Sequence, residues 1–126
     1  MEKIPVEMEE LLYEAEKLIE SEGSLSQGEQ VIVVLTAKSH RFSLVNHNIM
    51  EGDLSEEENF IKGLVEVGET EIKYLVCMWQ EYMLDIPSQH MREQLIKLNP
   101  LNKEMYLLLK GKESCSIKKL KDICCY

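Results

Sequence analysis

Met8, Leu11, Leu12, Ala15, Leu18 and Ile19 recur at intervals of three and four, with Glu and Lys between them. That spacing lays the apolar side chains along one stripe and predicts a helix from about Val6 to Ser21. Gly23, Ser24, Ser26 and Gly28 break the pattern. Val31 to Leu35 is a short unbroken apolar run, which predicts a strand covered on both faces. Phe42 to Val45 pairs with it across a turn at Ser39-His40, and Asn46, Asn48, Gly52 and Asp53 form a polar connection. Ser55 reads as the N-cap of a second helix with acidic residues in its first turn. Phe60, Ile61, Leu64 and Val65 give that helix its buried face, and Gly68 ends it. Ile72 to Trp79 is the most apolar strand and is expected at the centre of the sheet. Ser88 caps a third helix that runs to Leu98 and closes at Asn99-Pro100. Met105 to Leu109 is a further strand and Gly111 a turn. Ser116 is expected to open a last helix with Ile117, Leu120 and Ile123 on one side.

Helices and strands in alternation imply an α/β layered domain with a sheet covered by helices. The 126 residues fit one domain, 1–126, with no internal repeat or linker. Net charge is −9, from 14 basic and 23 acidic residues, which argues against a protein that grips nucleic acid phosphates or an anionic membrane. Lys118, Lys119 and Lys121 are the one short basic stretch and read as a solvated face. No apolar run is long enough to span a bilayer, and Met-Glu-Lys-Ile-Pro lacks the apolar core of a signal peptide. A cytoplasmic location is therefore expected, with the cysteines reduced. Cys77 reads as a core residue, Cys115 is isolated, and Cys124 and Cys125 are neighbours that chelate one metal poorly. None forms a Cys-x-x-Cys pair, so no metal or cofactor is expected from the cysteines.

The stretch Ile86-Pro87-Ser88-Gln89-His90-Met91-Arg92-Glu93-Gln94-Leu95 lies where a strand gives way to a helix. It resembles the Pro-Cys-x-x-Cys-Arg-Glu/Gln segment of the zinc-dependent nucleoside deaminases, keeping Pro87, Arg92 and Glu93. Gly68-Glu69-Thr70-Glu71-Ile72-Lys73 is similar to the Gly-Glu-x-Glu turn of that family, and Ser116-Ile117-Lys118-Lys119-Leu120 to its closing helix. In order and spacing the chain resembles the small cytidine and blasticidin-S deaminases along nearly its whole length. The resemblance implies a three-layer αβα domain with a mixed sheet, and a dimer or tetramer built through the helices beside the site. Tyr74, Trp79, Tyr82, Met83 and Met91 are candidates for such contacts, although core packing is their plainer use.

The resemblance also implies a site, and the chain departs from it there. Counting back from Gly68 sets Ser55-Glu56-Glu57 against the family's Cys/His-Ala-Glu. Glu57 then matches the glutamate that moves protons between zinc-bound water and the base. Ser55, Ser88 and Met91 fall on the three zinc-ligand positions. A hydroxyl is not an ordinary zinc ligand and a thioether suits soft ions such as Cu(I). Without the ion, water stays far too weak an acid to supply hydroxide near neutral pH. Glu58 also stands where an Arg is common. His90, with Glu57, Glu58 and His47, is the one set from which a metal site could be rebuilt; a surface histidine is the plainer reading. Arg92 and Glu93 are expected to pair across the helix surface. The family's ribose-binding Asn-x-Glu is matched only by Asn46-His47-Asn48. Asn46 and Asn48 are candidates to bind a polar ligand, or are turn residues.

The expectation is a catalytically inactive deaminase-like protein. It would serve as a binding or assembly module with a vestigial nucleoside-type pocket formed by Asn46, Asn48, Ser55, Ser88 and Met91. The alternative is an active cytidine or blasticidin-S deaminase with a rearranged metal site, recruiting Cys77, Cys115 or His90.

Overall fold

The computed structural model describes residues 4–22, 29–47, 54–110 and 115–123. The elements are α1 (Val6–Glu22), β1 (Gln30–Thr36), β2 (Arg41–Asn46), α2 (Ser55–Glu66), β3 (Ile72–Trp79), β4 (Leu84–Asp85), α3 (Gln89–Leu98), β5 (Tyr106–Lys110), β6 (Cys115–Lys119) and α4 (Leu120–Ile123). A 3-10 turn, Pro100–Glu104, joins α3 to β5. Asn48, Gly52, Asp53, Gly111, Cys124 and Cys125 lie outside the described residues.

The strands form one mixed sheet in the order β2-β1-β3-β5-β6, with β4 also on β3. Only β3 and β5 are parallel, and α3 lies between them in the chain. The other pairs are antiparallel. The central strands β1 and β3 are buried on both faces, which is why they read as unbroken apolar runs. Alternate side chains divide the core. Val31, Val33, Leu35, Tyr74, Val76 and Met78 face α1, through Met8, Leu11, Ala15 and Ile19. Ile32, Val34, Leu75 and Cys77 face α2 and α3, through Leu64, Met91 and Leu95. The expected αβα layering is therefore present, with α1 on one side of the sheet and α2, α3 and α4 on the other.

Three local expectations are corrected. The segment expected to open a last helix at Ser116 is instead β6, antiparallel to β5, and the helix is only Leu120–Ile123. Nonlocal pairing with β5 outweighs the helical spacing of Ile117, Leu120 and Ile123. Ser55 is the first residue of α2 and not its cap; Leu54 holds the cap position without a side-chain hydrogen bond. The buried face of α2 is turned from the expected one. Glu57 and Leu64 are buried on it, with Phe60 and Ile61 partly so, whereas Val65 is exposed. These four follow i, i+3, i+4, i+7, a cleaner helical stripe than one that includes Val65.

At the far end of the sheet, Gly68 closes α2 with a φ of 72°, a left-handed conformation that suits glycine. The next residue, Glu69, is buried and accepts hydrogen bonds from the Thr36 hydroxyl and the His40 ring. Lys38 donates to the Gly68 carbonyl at 3.2 Å. The tip of the β1–β2 hairpin is thereby tied to the turn that leads into β3. The Thr36 hydroxyl, with the His40 hydrogen bond and charge, outweighs burial and holds the Glu69 carboxyl below its ordinary value of 4.5. A carboxyl lowered in the folded state stabilises it above 4.5, and that contribution is lost as pH falls through the lowered value. Urea midpoints for wild type and Glu69→Gln are therefore expected to differ most near neutral pH and to draw together as pH falls below 4.5. Midpoints that stay equally far apart at low pH would contradict this.

Candidate functional site

Strands β1, β2 and β3 bring Gln30, Asn46 and Trp79 to one end of the sheet, where Gln30 is the register partner of both Asn46 and Trp79. Their alternation with Ile32, Leu44 and Cys77 sets all three on the face that α2 and α3 cover. The two helices begin over this end, one soon after β2 and the other after β4.

Ser88 caps α3, its Oγ accepting the Met91 N–H at 3.1 Å. The same hydroxyl donates to Glu57, in the first turn of α2, with Oε2 at 2.8 Å and Oε1 at 3.2 Å. Glu57 has no exposed surface, and neither does Met91. Ser88 is thus a two-way bridge: it satisfies an orphan amide of one helix and a carboxyl of the other. Both helix starts direct the positive ends of their dipoles at this carboxyl. Cys77 lies close beneath. Its thiol is pushed well up by burial, and the negative charges of Asp85 and Glu57 push it further.

Of the residues singled out in the sequence, the fold brings Glu57, Ser88 and Met91 into direct succession. Asn46 is wholly buried at the end of β2, so it is a strand residue and not a turn residue. Ser55 is exposed at the start of α2, and Asn48 lies outside the described residues. His90 Nε2 lies 3.8 Å from Glu58 Oε1. His47 turns to other carboxylates, donating its N–H to Glu56 Oε1 at 2.8 Å, with its ring Nδ1 3.0 Å from Oε2 and its Nε2 4.0 Å from Glu29. Among the described residues, no three His, Cys, Asp or Glu side chains are grouped as a metal ion would require. Arg92 donates to the Pro87 carbonyl and Glu93 accepts from Gln89, so the expected Arg92–Glu93 pair is not formed. The Arg92 guanidinium buttresses the turn before α3 instead.

Three residues of the site region were not singled out as such in the sequence. Trp79 donates its indole N–H to Asp85 at 2.7 Å, and Asp85 also accepts the Ile86 N–H. Gln30, 1% exposed, stands beside Asn46. A polar residue opening an otherwise apolar strand was the only sequence signal for Gln30. Asp85 gave none, because β4 is two residues long.

Solved structures share this arrangement of elements over nearly the whole chain. Cytidine deaminase from Mycobacterium leprae superposes with a TM-score of 0.67 at 12% identity, covering 97% of this chain and 100% of its own. Cytidine deaminase from Mycobacterium tuberculosis gives 0.66 at 17% identity and 94% of each chain. That from Bacillus anthracis gives 0.66 at 13% identity, covering 94% of this chain and 86% of its own. The fold is that of the cytidine deaminases. No protein-family model matches the chain, and no curated protein does. Among the described residues, no helix is long and apolar enough to cross a membrane.

Proposed function

We propose that this chain is a catalytically silent protein of the cytidine deaminase fold, and that it binds a small polar molecule between the starts of α2 and α3. The observation that carries the reading is the Ser88 bridge. Its hydroxyl is committed to the Glu57 carboxyl on one side and the Met91 amide on the other. A zinc deaminase needs thiolate or imidazole donors at this point, and the residues offered are Ser55, Ser88 and the thioether of Met91. This donor set does not suit zinc, so no step through a metal-bound water follows. Glu57 is left as a carboxyl without an activated nucleophile.

The alternative, a deaminase with recruited ligands, finds less support. Cys77 is sealed within β3, and its raised thiol disfavours the thiolate a metal requires. Among the described residues, His90 has a single carboxylate neighbour, Glu58. A homo-oligomer, dimer or tetramer, and a cytoplasmic location belong to the same proposal. Tyr82 and Met83, about half exposed at the β3–β4 turn, are the apolar residues there free to meet a partner. Tyr74 and Met91 are core residues instead.

The test is turnover of cytidine, deoxycytidine and blasticidin S by protein supplied with zinc. No ammonia release above that of Glu57→Gln is expected. Release that depends on Glu57 would overturn the proposal.

A further inference from the structure

Strand β2 ends the sheet: among the described residues its one hydrogen-bonded neighbour is β1. The ladder between them runs from Gln30 and Asn46 to Leu35 and Arg41 without a register shift. At the hairpin the Thr36 N–H bonds the His40 carbonyl. Alternation along an antiparallel pair then turns the N–H and C=O of Phe42, Leu44 and Asn46 toward β1, and those of Arg41, Ser43 and Val45 away from it. Proteins usually blunt such an edge with a bulge, a proline or lysines. The opposite edge, β6, carries Lys118 and Lys119. β2 has no bulge, no proline and no lysine, and its single charge, Arg41, is drawn to Glu14 at 3.3 Å.

Beside this edge, β2 and the C-terminal half of α2 enclose a groove of about 310 Å³. Phe42, Phe60, Leu64 and Val67 give it an apolar lining, and Ser43 opens onto it. Gly63 also lines the groove, inside α2, where glycine is less favourable than alanine. A Cβ at Gly63 would meet nothing within 4 Å, so no contact with the described residues calls for the glycine. Its lack of a side chain keeps the groove open. The helices on the two faces of the sheet are both acidic. α1 carries seven glutamates against Lys17, and α2 four against Lys62. A strand added to β2 lies between them.

We infer that this edge and groove are a docking site for an extended peptide segment of another protein, in which apolar residues alternate with lysine or arginine. Its backbone pairs with Arg41, Ser43 and Val45 and adds a strand to the sheet. Side chains opposite Phe42 and Leu44 share their face and enter the groove, so these are the apolar ones. The basic side chains between them point to the other face, where Glu14 of α1 reaches Arg41. The surface lies along α2 beyond Glu57 and does not depend on the pocket at the helix starts.

The test uses the whole protein and a short, terminally blocked peptide of alternating valine and lysine. In nitrogen-15 spectra the peptide is expected to bind saturably, to shift the backbone amide resonances of Arg41, Ser43 and Val45 and to slow the exchange of their N–H protons. The same peptide N-methylated on the amides that face β2, and one with glutamate in place of lysine, are each expected to bind about ten-fold or more weakly. Gly63→Leu fills the groove, and Ser43→Pro removes an outward N–H that the β1–β2 ladder does not use. Both variants, checked for folding by circular dichroism, are expected to weaken the peptide to a similar degree. The altered peptides keep the test independent of either variant folding. No binding of the lysine peptide would overturn the proposal. Binding that N-methylation leaves unchanged would overturn strand addition, and equal binding of the glutamate peptide would overturn the basic class. Self-association of the free protein that Ser43→Pro abolishes would overturn the foreign peptide and assign the edge to a second copy of this chain.

Discussion

Asn102→Leu is expected to lower the unfolding free energy by about 3–5 kcal/mol, the largest effect of any single polar change in this fold. Asn102 has no exposed surface. Its Oδ1 accepts the Ile72 N–H at 2.8 Å, and its Nδ2 donates to the Leu95 carbonyl at 2.8 Å and the Thr70 carbonyl at 2.9 Å. Each partner has a reason to need it. Ile72 opens β3 where the β1–β3 register shifts. Leu95 belongs to the last turn of α3, where its carbonyl otherwise has only the long 3.3 Å bond from the Asn99 N–H. Thr70 lies in the connection from α2. One side chain thus joins the end of α3, the 3-10 turn and the start of the central strand. Leucine has similar volume, strands the Ile72 N–H and the Thr70 carbonyl, and leaves the Leu95 carbonyl with the Asn99 N–H alone. Urea denaturation followed by circular dichroism measures the change, which corresponds to a melting point lower by roughly 10–20 °C. A loss under about 1 kcal/mol would show that these bonds contribute little.

Ser88→Ala is expected to cost about 2–4 kcal/mol, from two separable sources. Removing the cap leaves the Met91 N–H without its acceptor, typically about 1 kcal/mol. Removing the hydroxyl leaves the buried Glu57 carboxyl without its donor, about 1–3 kcal/mol more. The second part disappears if Glu57 is made apolar as well. Glu57→Leu combined with Ser88→Ala is therefore expected to be more stable than Ser88→Ala alone, and the double-mutant cycle reads the coupling directly. Additive losses would mean that Ser88 acts only as a cap.

Much of this architecture is legible in the chain. The runs at Val31 to Leu35 and Ile72 to Trp79 announce central strands because both faces are buried. Gly68 and Ser88 mark helix ends through local backbone chemistry. The succession Glu57, Ser88, Met91 could be placed because helix starts carry it, and helix starts have strong local signals. What remained hidden depends on contacts distant in sequence. β6 carries a helical spacing, and only its pairing with β5 makes it a strand. β4 is two residues held by β3. Asn102, after Pro100 and Leu101, looks like any turn residue, and its three partners come from segments seven to thirty-two residues away. The burial of Glu57 reverses what an acidic run implies, since Glu56 and Glu58 beside it keep their ordinary partly or fully exposed positions. Asn46 left two readings open, and its place at the end of β2 excludes the turn.

The central claim is that the deaminase fold is kept here without the deaminase metal. Metal content measured by inductively coupled plasma mass spectrometry, on tag-free protein expressed with added zinc and purified without chelators, tests it most directly. The account predicts zinc far below one per chain, unchanged in Ser88→Ala. About one zinc per chain, lost on substituting Glu57, Ser88 or Met91, would contradict it and restore the hydrolytic reading.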